Sequence, residues 1–114
     1  MKNEVKRILP IVAVYDNLLG YKNINITQNK AVAVRGFSNS IKYMLERGEY
    51  DDGSPADISL YYVGDFDMST GDIKGVPPEL LIAGTTVIAE WHNSKFDISH
   101  RQEVTKVGEV NDNI

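Results

Sequence analysis

The stretch that decides the fold is DISLYYVGDFDMSTGDIKG, residues 57–75. Its first part, Ile58–Val63, is rich in β-branched and aromatic residues, a composition typical of a half-buried strand. Residues 67–72 are turn formers, and Gly71 offers the positive φ angle that a tight loop needs. The segment therefore predicts a β-hairpin whose return strand begins near Asp72.

Two further strands are predicted before this hairpin. Residues Ile8–Tyr15 are apolar at nearly every position, which indicates a strand in the centre of a sheet. Residues 21–27 alternate instead, with Ile24 and Ile26 on one side, so they suit a paired strand with one solvent-exposed face.

A helix is predicted from Lys30 to about Glu46. Residues 27–29 are suitable N-cap residues, and Gly48 is a typical helix stop. Apolar residues follow one another at spacings of three and four and form a single stripe, which consists of Ala33 or Val34, Phe37, Ile41, Met44 and Leu45.

Residues 80–89 read as one long strand kinked at Gly84, or as a strand followed by a short helix, and the β-branched content favours the strand. Pro77 and Pro78 should interrupt the ladder before it. The predicted fold class is therefore α+β: a small antiparallel sheet in ββαββ order, covered on one face by one main helix. Residues 1–90 form a single domain, and residues 91–114 form a carboxyl-terminal tail that packs on the domain or on a neighbouring subunit.

One consequence of this arrangement bears on function. A single helix covers one face of the sheet, yet the strands predicted at 8–15 and 58–63 carry apolar or aromatic residues on both faces. The second face must therefore meet the tail, another subunit or a ligand.

Composition excludes several classes of protein. The 114 residues suffice for one core, and 42% of them are hydrophobic, as in ordinary globular domains. The absence of cysteine excludes disulfides and thiolate chemistry. No apolar run approaches the ~18 residues needed to span a bilayer, so we expect a cytoplasmic protein without membrane contact.

Motifs for catalysis or metal binding are weak. The run from Asp65 resembles the start of a calcium loop, but Thr70 stands where glycine is needed and Val76 where glutamate is needed. His92 and His100 have no recognised ligand spacing. We therefore expect no enzyme activity, no metal and no cofactor.

Charge is distributed unevenly along the chain. Residues 1–48 carry eight Lys and Arg against three Asp and Glu, a net +5, whereas residues 49–114 carry four against thirteen, a net −9. A single-strand binder needs a cationic path and aromatic faces on which bases stack. The candidate nucleic-acid-binding residues are Lys6, Arg7, Lys22, Lys30, Arg35, Lys42 and Tyr21, with Tyr15 and Tyr61 as further stacking candidates.

A set of short motifs in fixed order also carries a family resemblance. They are Tyr15-Asp16, Ala33-Val34-Arg35-Gly36-Phe37, Asp57, Leu60-Tyr61, Gly64, Phe66-Asp67, Thr70-Gly71, Leu81 and Ala83-Gly84. In these the chain resembles the small nonstructural proteins, with an ascribed DNA-binding role, of gokushovirus-type microviruses, which are single-stranded DNA phages. The resemblance covers roughly residues 10–85.

The resemblance implies a nonstructural phage protein in the cytoplasm of the bacterial host. It would bind single-stranded DNA without sequence specificity during viral genome synthesis or packaging. The uncovered sheet face and the tail, for their part, lead us to expect a homo-oligomer. The alternative is an oligomeric interaction protein that docks on a phage or host protein and binds no nucleic acid.

Overall fold

The computed structural model describes residues 7–50 and 54–95. Its elements are β1 (Ile8–Asp16), β2 (Gly20–Ile26), α1 (Lys30–Arg47), a 3-10 turn (Pro55–Asp57), β3 (Ile58–Asp67), β4 (Ile73–Ala83) and α2 over the described residues 84–95. The strands form one antiparallel sheet in the order β2-β1-β3-β4, so β1 and β3 are central. The predicted α+β class and the central position of the first strand are confirmed.

The hairpin that decides the fold forms where the sequence predicts it. The turn between β3 and β4 has Gly71 at φ 81°, and the Gly71 N–H donates to the Asp67 carbonyl at 2.7 Å. The Asp67 carboxylate accepts hydrogen bonds from the hydroxyl and the N–H of Ser69, and these bonds lower its pKa.

The first helix also forms within a residue of its predicted ends. The Asn29 side chain caps it by accepting the Val32 N–H at 2.9 Å, and Gly48 ends it in the left-handed region at φ 71°. Its predicted stripe faces the core, where Phe37 and Ile41 are buried.

The predicted ββαββ order is wrong at its end, because residues 84–89 begin a second helix and the order is ββαββα. The β-branched run from Thr85 favours a strand locally, but packing decides otherwise. Val87 is fully buried, Ile88 packs on the core and Trp91 is half-buried, which is a helical spacing. The predicted boundary after residue 90 lies within α2, and the tail beyond residue 95 lies outside the described residues.

Strand β4 continues through Pro77 and Pro78 instead of stopping there. On this edge strand a missing N–H that faces outward costs no ladder bond, but N–H groups of successive strand residues point to opposite edges, so this accounts for only one of the two prolines. The ladder is irregular at this point, because Gly64 pairs with Gly75 while Tyr62 pairs with Glu79. The expected interruption is therefore a bulge within one strand.

Both helices lie on the same face of the sheet. The buried cluster joins Val12, Ile58 and Leu60 of the sheet to Phe37 and Ile41 of α1 and Val87 of α2. No described helix lies on the opposite face, which we call the open face. By strand register it carries Leu9, Ile11, Ala13, Tyr15, Tyr21, Ile24, Ile26, Ser59, Tyr61, Phe66, Ile73 and Leu80.

Candidate nucleic-acid interface

Three tyrosines meet on the open face. Tyr15 of β1 pairs in register with Tyr21 of β2, and their ring centroids are 4.8 Å apart. Tyr61 of β3 completes the group at 6.0 Å from Tyr15 and 5.7 Å from Tyr21. All three contacts are edge-to-face, the favourable geometry for aromatic pairs. We call this group the tyrosine cluster.

The cluster combines fixed positions with an accessible ring. Tyr15 and Tyr61 stand on the two central strands, where pairing on both sides holds the backbone. Tyr21 stands on the edge strand and remains 48% exposed. A planar base can therefore reach an aromatic surface whose underlying strands do not have to rearrange.

The turn that joins β1 to β2 is held by Asp16. Its carboxylate accepts the Leu18 N–H at 2.8 Å and the Lys22 ammonium at 3.1 Å. These hydrogen bonds, that of the Leu18 N–H first and that of Lys22 second, lower the pKa of Asp16 although the residue is only 3% exposed. Asp16 therefore stays ionised and fixes the end of the hairpin next to the tyrosine cluster.

The cationic residues predicted to bind DNA do not join the tyrosine cluster. The side chain of Lys22 lies on the helix-bearing side of the sheet and pairs with Asp16. Lys30 begins α1, pairs with Glu79 at 3.4 Å and lies 4.0 Å from the ring centre of Tyr62. Arg35 and Lys42 lie on α1, behind the sheet as seen from the open face.

The two remaining predicted cations lie near the amino terminus. Arg7 precedes β1, where its carbonyl accepts the Met68 N–H at 2.8 Å. That position is at the opposite end of β1 from Tyr15. Lys6 lies outside the described residues. Of the predicted site residues, Tyr21 thus contacts Tyr15 and Tyr61, whereas the described cations lie away from the tyrosine cluster.

A separate polar group surrounds Tyr62 on the helix-bearing side. Its hydroxyl donates to the Asp65 carboxylate at 2.7 Å, and the pKa of Tyr62 is raised, chiefly by this hydrogen bond. With Lys30 and Glu79 the group links the start of α1 to β3 and β4. We read it as a structural tie, because each member already has a partner within the group.

An apolar groove of about 480 Å³ separates α1 from the β1–β2 hairpin. Core residues such as Val12 and Leu60 form its floor, and Asn23 and Asn25 lie at its rim. Its lining offers no pair of titratable groups for acid–base chemistry. Within residues 7–50 and 54–95, no three His, Asp or Glu side chains stand close enough to hold a metal ion, and no helix there is long and apolar enough to cross a membrane.

One feature of this region is not among the predicted site residues, the exposed pair Leu18-Leu19 at the tip of the β1–β2 hairpin. The signal was present, because a two-leucine turn departs from the polar composition that turns usually have.

Comparison with known proteins supplies a family. No curated protein and no solved structure is significantly similar to this chain. The family described as Phage ORF5 protein matches residues 9–87, which span β1 to the first turn of α2 and include the whole tyrosine cluster. Since the match covers more than half of the 114 residues, the chain belongs to the Phage ORF5 protein family.

Proposed function

We propose that this phage protein binds single-stranded DNA without sequence specificity, on its open face, during viral genome synthesis or packaging in the host cytoplasm. The observation that carries the proposal is the tyrosine cluster on a sheet face that no described helix covers. Four-stranded antiparallel sheets that present aromatic side chains from their central strands are a known platform for unpaired bases.

Stacking accounts for the lack of sequence preference. Every base has a π-face, and one base stacked on an aromatic side chain contributes about 1–3 kcal/mol. Hydrophobic side chains around the cluster, such as Ile24 and Leu80, are exposed and would be covered by a bound strand. A duplex hides its base faces, so the open face selects unpaired strands.

Phosphate neutralisation should contribute less than it does in basic proteins that coat DNA. The described residues carry eight Lys and Arg against nine Asp and Glu, and the strand register places no charged residue of β1–β4 on the open face. The logarithm of the affinity for DNA should therefore fall less steeply with the logarithm of the salt concentration than it would for a path of six cations. In such a path each phosphate contact contributes a slope of roughly −0.7.

Titration of a labelled single-stranded oligonucleotide tests the proposal. Tyr21→Leu keeps an apolar side chain but removes the ring, and it should weaken binding by roughly 5- to 100-fold if one base stacks there. Tyr43→Leu is the matched control, because Tyr43 is an exposed tyrosine on α1, away from the open face. No binding by the wild type at low salt, or equal effects of both variants, would refute the site.

The competing site on α1 needs its own variant. Arg35→Ala combined with Lys42→Ala removes two of the three predicted cations of that helix and leaves Lys30 at its start in place. Binding on the open face predicts little change in affinity and an unchanged melting temperature. A loss larger than that of Tyr21→Leu would move the interface to the helix.

Self-association through the same face is the second candidate function. Ile24 and Ile73 are each 71% exposed, and the open face carries no described charge whose desolvation would oppose a partner. The open face of the four-stranded sheet has an area of roughly 600 Å². That is comparable with the ~800 Å² that each partner contributes to a standard interface. Light scattering at micromolar concentration distinguishes a monomer from such an oligomer.

A further inference from the structure

The turn between β1 and β2 presents two leucines to solvent. Leu18 is 83% exposed and Leu19 is 75% exposed, the highest values among the large hydrophobic side chains of the described residues. We call residues 17–19 the leucine turn. Because burial of a leucine side chain is worth about 1.5–3 kcal/mol, two exposed leucines side by side offer apolar surface that a binding partner can cover.

The leucine turn is rigidly built. Asp16 receives the Leu18 N–H on its carboxylate at 2.8 Å and the Leu19 N–H on its carbonyl at 3.1 Å. The Asn17 N–H donates to the Asp57 carbonyl at 2.9 Å, which ties the turn to the chain entering β3. The exposure of the leucines is therefore fixed by the fold.

The position of the turn suggests what it contacts. Tyr15 and Tyr21 close the hairpin immediately behind it, so the leucine turn projects from one end of the tyrosine cluster. The turn itself carries no charge, and the Asp16 carboxylate behind it is paired with Lys22.

We propose that the leucine turn is a wedge that opens duplex DNA where it meets a single strand. Leu18 and Leu19 insert between the terminal base pairs while the released strand stacks on the tyrosine cluster. Apolar side chains, leucine among them, are known to insert between base steps and unstack them. This inference rests on the proposed function, because a wedge needs the single-strand site behind it.

A forked duplex with a fluorophore and a quencher on its two strands tests the wedge. With excess unlabelled trap strand, the wild type should open the fork faster than it opens spontaneously. Leu18→Ser combined with Leu19→Ser should lose this acceleration while its affinity for a single strand stays within about twofold, because the backbone bonds of the turn remain. Met68→Ser is the control: Met68 is an exposed apolar residue in the turn between β3 and β4, outside the open face, and this variant should open the fork at the wild-type rate.

The outcomes separate the two ideas. If the wild type binds no single strand, the proposed function fails and the wedge fails with it. If it binds, but the leucine variant opens the fork at the wild-type rate, the wedge alone is refuted. If the leucine variant instead loses self-association while fork opening is unchanged, the leucines contact protein, and the wedge is refuted as well.

Discussion

At the scale of single residues, Gly84 stands at the tightest point of the fold. A Cβ atom added there would collide with the carbonyl oxygen of Pro55 and lie 2.6 Å from that of Ile58. Neither backbone can move without disturbing the start of β3. The chain can therefore pass from β4 into α2 at this place only with glycine.

We predict opposite effects for two glycine-to-alanine variants. Gly84→Ala should lower the free energy of unfolding by about 3 kcal/mol or more, the upper end of the range for overpacking, because the backbone atoms that it meets cannot move away. Gly36→Ala lies inside α1, where an added Cβ meets nothing within 4 Å, and should stabilise by about 0.5–1 kcal/mol. Urea unfolding measures both, and a tolerated Gly84→Ala would contradict the described packing of α2.

The lowered pKa of Asp16 predicts that the stability of the folded protein depends on pH. Its pKa in the folded protein is below the ordinary value of about 4, so the unfolded chain takes up the proton more readily. The contribution of ionised Asp16 to the free energy of unfolding is therefore complete above about pH 4. It is lost as the pH falls through the lower pKa of the folded protein.

The variant Asp16→Asn isolates this charge, since its amide oxygen can still accept the Leu18 N–H. It should be less stable than the wild type at pH 7, and the difference should shrink towards pH 3. Denaturant unfolding at both pH values checks the sign, and a difference that grows on acidification would contradict the ionised state of Asp16.

At the scale of elements, local chemistry explains what the sequence could predict. The β3–β4 turn, the Asn29 cap and the Gly48 stop each use residues whose preferences agree with their structure. Helix α2 could not be predicted in the same way, because the β-branched Thr85, Thr86, Val87 and Ile88 favour a strand and only tertiary packing overrides that preference.

The contacts of the candidate site are likewise of two kinds, local and long-range. The Tyr15–Tyr21 contact follows from the register of a hairpin, a local feature, whereas Tyr61 joins only through the long-range pairing of β1 with β3. Alternation already separates Tyr21 from Lys22, since neighbouring strand residues point to opposite faces. A regular strand therefore does not present Tyr21 and Lys22 on one surface, and the structure pairs Lys22 with Asp16 instead.

Two substitutions in α2 distinguish its helix from the strand that the sequence favours. Val87→Ala should cost on the order of 2 kcal/mol, because it removes buried methyl groups and leaves a cavity. Ala89→Lys should change the unfolding free energy by no more than about 0.5 kcal/mol, since residue 89 is exposed on the helix. In a strand, residues 87 and 89 would share a face, so comparable losses in the two variants would favour the strand.

At the scale of the whole molecule, one surface serves both candidate functions. Single-stranded DNA and a second copy of the chain would each cover the open face, so they should exclude one another. We predict that saturating oligonucleotide dissociates any oligomer that light scattering detects in the free protein. Leu80→Glu places a charge on this face and should abolish self-association. An oligomer that keeps its mass when DNA binds would mean that two separate surfaces are used.

The alternation of side chains along β1 and β3 also bears on which substitutions the fold can tolerate. Residues that face the helices form the core cluster. On the open face, Ile11 and Ala13 are buried as well, whereas Ile24 and Ile73 are exposed. A substitution at such an exposed position can therefore alter the surface of the sheet at small cost to folding. Related phages could vary this surface while keeping the scaffold, since buried and exposed residues occupy different positions of the same sheet.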